Sequence, residues 1–370
     1  MGNAADKPDQ FCAIVPPHLL LAMAAGSDRE LARRAAATLD HDRQLRASRT
    51  GACVDREQPG LSFEAAPQRH LRRCAHDVRR TAETPDLGAR AEGAPPCGDV
   101  AVDQAYDGTG AAFDFFWDVF ARDSIDGSGI TVESRVHHGQ DYANAFWNGA
   151  QLVFGDGDGL AIGPLTGHLD VIGHEFAHGV TDHLAALERT GQAGALAESV
   201  ADVFGSMVKQ FAAQPRQTTD EADWLIGDGI FLPGINGRAL RSVRDPGTAY
   251  DDVRLGGKDP QPAHMDGYVD ADDECAAHIN SGIPNRAFWL VASAFGGYAW
   301  ERAGQIWYET LRDHRLSGNT SFEQFAGLTC RTARMLYGEG VAGVVAAAWH
   351  AVGVGADVVT LGSAQRAVMA

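Results

Sequence analysis

DVIGHEFAHGVTD, residues 170–182, sets two histidines four positions apart with a glutamate directly after the first. On a helix, positions i and i+4 share a face, so His174 and His178 can present both imidazoles to one metal ion. Glu175 projects about a hundred degrees round the same helix. It can reach reacting water without becoming a ligand. An ordinary buried helix with hydrogen-bonded histidines can carry the same letters, so a third ligand decides the matter.

A catalytic zinc takes three protein ligands and keeps one position open. GALAESVADVFG, residues 194–205, offers the third. Glu198 follows His178 by twenty residues on an apolar helix, where an unpaired carboxylate would be costly to bury. Asp202 stands one turn further along that face, placed to accept the far N–H of a ligand histidine and fix its tautomer.

The surrounding chain is that of a large globular protein. It has 370 residues, enough for two packed lobes, with 45% hydrophobic and 22% charged residues. No run approaches the roughly 18 apolar residues that a membrane helix needs, and no membrane partner is expected. A net charge of -18, from 31 basic and 49 acidic residues, would repel a phosphate backbone and argues against nucleic acid. The six cysteines, Cys12, Cys53, Cys74, Cys97, Cys275 and Cys330, form no CxxC pair and read as free thiols. The apolar N-terminal stretch holds two prolines and lacks a basic start. It does not read as a secretory signal, so a cytoplasmic location or export by a leaderless route is expected.

Residues 1–50 read as a small unit whose charged helix, SDRELARRAAATLDHDRQLRAS, opens at Ser27 with Glu30 at capping-box spacing. Residues 51–100 are rich in Pro, Gly, Ala and Arg and read as a connector or weakly patterned edge strands. Within them QRHLRRCAHDVRR, 68–80, reads as a solvated linker or processing site. Residues 101–165 carry Gly and Asp clusters around short alternating runs, ITVESRVHH and QLVFGDGDG, and read as a β-rich half. From 168 onward helical spacing dominates: through HEFAHGVTDHLAAL, GALAESVADVFGSMVKQFAA and NSGIPNRAFWLVASAFG, then at 299–314, 321–337 and 340–353.

Four further motifs, NAFWNG (144–149), GDGDG (155–159), RSVRDP (241–246) and HINSGIPN (278–285), stand in order around HEFAH. Together they resemble the thermolysin-like zinc metallopeptidases over about 100–355. PPHLL at 16–20 is similar to the short pro-segment of the protealysin-type subgroup. The resemblance implies an α+β fold of two lobes, β-rich N-terminal and helical C-terminal, with zinc in the cleft. The corresponding division is a pro-segment 1–50, an N-terminal lobe 51–189 including the HEFAH helix, and a C-terminal lobe 190–370.

It also implies a zinc endopeptidase that cuts peptides or proteins on the N-terminal side of bulky hydrophobic residues and is held latent by its own pro-segment. His174, His178 and Glu198 become the ligands and Glu175 the general base. His278 becomes the group that stabilises the oxyanion, oriented by Asp273. Asn144, Ala145 and Arg241 hold the substrate backbone, and Val171, Ile226, Ile230 and Leu240 line the pocket for the side chain after the scissile bond.

Several positions depart from the family pattern. Arg189 stands for the tyrosine that assists the oxyanion, and Ala197 for an asparagine that would support His178. Glu274, Cys275, Ala276 and Ala277 replace a Gly-rich stretch before His278. These departures leave an alternative, a catalytically impaired zinc-binding homologue that binds peptides. A different zinc hydrolase on a related scaffold is opposed by GDGDG and HINSGIPN. The family's double calcium site is expected to be absent: Lys209 and Leu225 replace glutamates there, leaving Asp170, Asp223 and Asp228, with Lys209 paired to Asp170 or Asp223.

Overall fold

The computed structural model of the chain describes residues 12–48, 69–79 and 90–355. Cys53 and most of the expected connector lie outside them.

The chain starts with β1 (Cys12–Ala13) and α1 (Pro17–Ala25), whose Pro17 sits in the first turn, where a missing N–H does no harm. α2 (Arg29–Ser48) opens differently from expectation. Asp28, not Ser27, caps it, accepting from the N–H groups of Glu30 and Leu31 at 3.0 and 3.1 Å. Glu30 turns instead to Arg33 and Arg34.

A six-stranded sheet follows, built from β1, β2 (Arg73–Asp77), β3 (Arg90–Ala91), β4 (Val132–Val136), β5 (Ala145–Trp147) and β6 (Gln151–Phe154), in the order β1-β5-β6-β4-β2-β3. The basic stretch read as a linker is therefore partly an interior strand, with β2 parallel to β4. Its charge is absorbed locally. The Arg73 guanidinium lies 3.9 Å from the centre of the Tyr106 ring and pairs with Glu92 at 2.7 Å.

The start of the expected β-rich half is instead a 21-residue helix, α3 (Val100–Phe120), capped by Asp99. Its glycines hid it, because each weakens a helical pattern. At Gly108 the reason is packing: a Cβ there would lie 2.4 Å from Ile172 Cδ1. The helix can thus press against α4 (Leu169–Leu184), and α5 (Gly191–Ala212) packs against α4 in turn. Gly205 of α5 lets the two backbones close, since a Cβ would meet Asp170 O at 2.4 Å. Phe116 stacks on Phe176 and Phe204, locking the three helices together.

A short antiparallel pair, β7 (Leu225–Ile226) and β8 (Arg241–Ser242), leads into the helical part: α6 (Glu274–Asn280), α7 (Gly282–Phe295), α8 (Ala303–Leu311), α9 (Phe322–Tyr337) and α10 (Glu339–Ala351). Ser321 and Gln324 close a capping box on α9, and Trp307 stacks on Trp349 beneath it. Among the described residues no helix is long and apolar enough to cross a membrane.

Candidate active site

α4 and α5 bring His174, His178 and Glu198 to one buried point. The two imidazole Nε2 atoms face each other at 3.0 Å. Glu198 Oε1 lies 3.3 Å from His178 Nε2, and Oε2 lies 3.7 Å from His174 Nε2. Two nitrogens and a carboxylate converging at one buried point match the donor set of zinc.

Behind His174, Nδ1 meets Asp202 Oδ1 at 2.9 Å. Burial, then the neighbouring His178, lowers the His174 pKa to about 4 against the pull of Asp202. The ring is therefore neutral at pH 7. It donates from Nδ1 and turns the Nε2 lone pair to the centre. Asp202 is itself gripped by both guanidinium arms of Arg241 at 2.8 Å and by Asn285 Nδ2 at 2.9 Å. Arg241 and His174 outweigh the effect of burial and hold its carboxyl below the usual range.

His178 has a different support. Its Nδ1 lies 3.0 Å from Arg189 Nη1. Arg189 also pairs with Asp182, which accepts from the Trp147 indole at 3.1 Å. An arginine can only donate, so ligation through Nε2, which puts the proton on Nδ1, requires Arg189 to turn that N–H aside.

Glu175 Oε2 accepts from the Trp147 N–H at 2.7 Å, while Oε1 has no partner. Burial, with the Glu198 charge beside it, pushes its carboxyl well above the ordinary range. His278 Nδ1 lies 3.0 Å from Glu198 Oε2 at an angle too bent for a hydrogen bond. Asp273 does not orient it as expected. The Asp273 carboxylate caps α6 through the Ala276 N–H at 2.8 Å, and among the described residues no hydrogen bond joins it to His278.

The expected substrate-binding residues hold the chain's own N-terminal segment. β1 runs antiparallel to β5, Cys12 opposite Trp147 and Ala13 opposite Phe146. The Ile14 N–H donates to Ala145 O at 3.0 Å, and Asn144 Oδ1 accepts from the Val15 N–H at 2.8 Å. Arg241 Nη1 donates to Ile14 O at 2.7 Å. Val171, Ile226, Ile230 and Leu240 are buried in one apolar cluster with Ile14, Val15 and Leu19. From α2, Asp42 accepts from Tyr142 Oη at 2.5 Å and from Asn144 Nδ2 at 3.1 Å, and His41 meets His138 at 2.8 Å. Arg46 pairs with Glu274 on the opposite side of the cleft.

At the N-terminal end of α4, Lys209 Nζ lies 2.9 Å from Asp170 Oδ2, 3.0 Å from Asp223 Oδ2 and 3.2 Å from Leu225 O. The ammonium pairs with both candidate aspartates rather than one. Asp228 is bound to Arg238.

Cys12, Asp42, Trp147 and Asn285 escaped the sequence reading. Trp147 and Asn285 lie within NAFWNG and HINSGIPN, so their motifs flagged the neighbourhood but not the contact. Nothing in the spacing of Cys12 or Asp42 pointed to the site.

Residues 89–182 match the family described as the thermolysin metallopeptidase catalytic domain, and residues 185–354 match its alpha-helical domain. An extracellular metalloprotease from Pectobacterium carotovorum subsp. carotovorum is 46% identical over 349 residues, 94% of this chain and 98% of that protein. Protease PrtS of Photorhabdus sp. (strain Az29) is 40% identical over 352 residues, 94% and 93% of the two chains. Among solved structures, the precursor of protealysin, a metalloproteinase from Serratia proteamaculans, matches with a TM-score of 0.82 and 45% identity, covering 93% of this chain and 99% of that one. With both family regions in sequence and HEFAH meeting Glu198 in space, the chain belongs to the thermolysin-like metallopeptidases.

Proposed function

We propose that the protein is a zinc endopeptidase that cleaves on the N-terminal side of bulky hydrophobic residues and is latent until residues 1 to about 50 are removed. One observation carries the reading: β1 adds to β5 the way a peptide adds to a sheet edge, and Asn144, Ala145 and Arg241 hold residues 14 and 15 directly after it. The segment thereby fills the groove that substrate must enter.

His174, His178 and Glu198 would hold the zinc, which when bound would supply a Lewis acid for the peptide carbonyl and lower the pKa of water towards neutrality. Glu175 Oε1, without a partner, takes the proton of the attacking water and returns it to the leaving amine. His278 donates to the carbonyl oxygen as charge develops there. Its Nε2 has no partner in the latent chain. Arg241 ties substrate to zinc site, since it grips both Asp202 behind His174 and the backbone carbonyl in the groove. Val171, Ile226, Ile230 and Leu240 favour a large apolar side chain, at about 25 cal/mol for each Å² buried. Lys209 fills the place of the double calcium site, so calcium is not required.

Furylacryloyl dipeptides test the reading on the processed chain. Cleavage before leucine or phenylalanine, lost with a chelator and restored by zinc, is expected. Activity untouched by the chelator, or none before apolar residues, would overturn it.

A further inference from the structure

Cys12 is only 3% exposed, and it is not buried as an apolar filler. Its thiol donates to Glu198 Oε1. Cys12 Sγ, a His178 ring nitrogen and a Glu198 oxygen all lie within 4.8 Å of one another. The backbone, rather than a flexible side chain, delivers the sulfur: the pairing of β1 with β5 puts Cys12 opposite Trp147, whose N–H holds Glu175. Around it Glu198 Oε2 and Glu175 Oε1 are buried without hydrogen-bond partners. An ion gathering sulfur, imidazole and carboxylate there would satisfy groups that protein contacts leave exposed to one another.

We propose that Cys12 Sγ is the fourth protein ligand of the zinc in the intact chain, closing the coordination position that catalysis needs open. The inference rests on the zinc-peptidase reading and deepens it. A zinc with two histidines, a carboxylate and a thiolate is tetrahedral and complete, the arrangement of a structural rather than a catalytic site. On ligation the S–H bond is lost, its proton passes to solvent, and a sulfur–metal bond forms. Removing the N-terminal segment then removes a ligand as well as an obstruction.

Cobalt substitution reads this directly. The intact chain loaded with one cobalt per molecule, counted by elemental analysis, should show an intense near-ultraviolet sulfur-to-cobalt charge-transfer band. Cys12→Ser should lose the band while still binding cobalt, Cys275→Ser should keep it, and the processed chain should lack it. One bound cobalt with no such band in the intact chain, or a band that survives Cys12→Ser, overturns the proposal and leaves the peptidase reading intact. No bound metal at all would overturn both. Should Cys12→Ser fail to fold, X-ray absorption at the zinc edge of the unmodified intact chain decides alone. A sulfur neighbour at about 2.3 Å is expected, and a shell of only nitrogen and oxygen refutes the assignment.

Discussion

Two carboxylate clusters sit one helical turn apart on α4, and they are neutralised in opposite ways. At the N-terminal end, Asp170 and Asp223 surround the Lys209 ammonium, and every charge has a fixed partner. At His174 the nearby carboxylates, Glu175 and Glu198, each keep an oxygen with no hydrogen bond, while two imidazole nitrogens are pressed to 3.0 Å. Acidic residues were legible at both places. What separates a metal site from a salt bridge is whether the protein already supplies the cation. A third buried carboxylate, Asp42, has neither remedy: burial raises its pKa to about 7 despite Tyr142 and Arg46, so a proton serves instead.

The largest effect should come from the least partnered group. Glu175→Gln removes the base without removing a ligand, so peptidase activity of the processed chain should fall by about 10³-fold or more with one zinc retained. Loss of zinc in that variant, measured by elemental analysis, would place Glu175 among the ligands and break the division drawn above.

Protons should tune the docking of the N-terminal segment more modestly. Burial raises the Asp42 carboxyl from an ordinary 3.8 to about 7, so it takes up a proton on docking between those limits and favours docking as pH falls. His138 runs the other way. Burial, then the charges of His41 and Arg135, lowers it from 6.5 to about 3, so docking is weakened as pH falls through that window. The nearby groups include Arg46, Asp141, Glu274 and the Tyr142 hydroxyl, and burial also lowers His18, to about 3, and His41 of the segment, which add to His138 against Asp42. Asp42→Asn should therefore release the cut segment several-fold faster at pH 5 than at pH 7. His138→Gln should act in the opposite sense, giving a smaller ratio of release at pH 5 to release at pH 7 than the unmodified chain, and stopped-flow release of a labelled segment would show it. Identical pH profiles in both variants would mean that neither group titrates on docking.

The smallest effect belongs to Lys209. Melting of the unmodified protein should shift by less than a few degrees between millimolar calcium and a calcium-selective chelator. Lys209→Glu, which returns an oxygen ligand beside Asp170 and Asp223, should acquire a calcium-dependent rise of a few degrees. A large calcium response in the unmodified chain would show that the ammonium does not occupy the site.

Apart from α6, the helices from α4 onward were legible because their apolar residues recur at helical spacing and their caps are written locally, as at Ser321. α3 was not, because Gly108 answers to Ile172 across a helix contact rather than to its own helix. β2 was hidden by Arg73, whose partners, Tyr106 and Glu92, are distant in sequence. The same division runs through the site. Ligand spacing is local and readable, but Asp273 took a capping role that only the backbone of α6 could assign, and Arg189 lies between His178 and Asp182, contacts that its position in the sequence does not announce. Cys12 and Glu198, 186 positions apart, meet only through strand pairing.

Pairing of β1 with β5 happens within one covalent chain, so the occupant of the groove is present at a concentration fixed by its tether and not by the amount of protein. Diluting the intact protein cannot empty the cleft. Once the chain is cut, the same contacts become an ordinary bimolecular complex that weakens with every fold of dilution. A peptidase of this build would pass from silent to active on dilution, with the cut setting only the moment from which dilution counts.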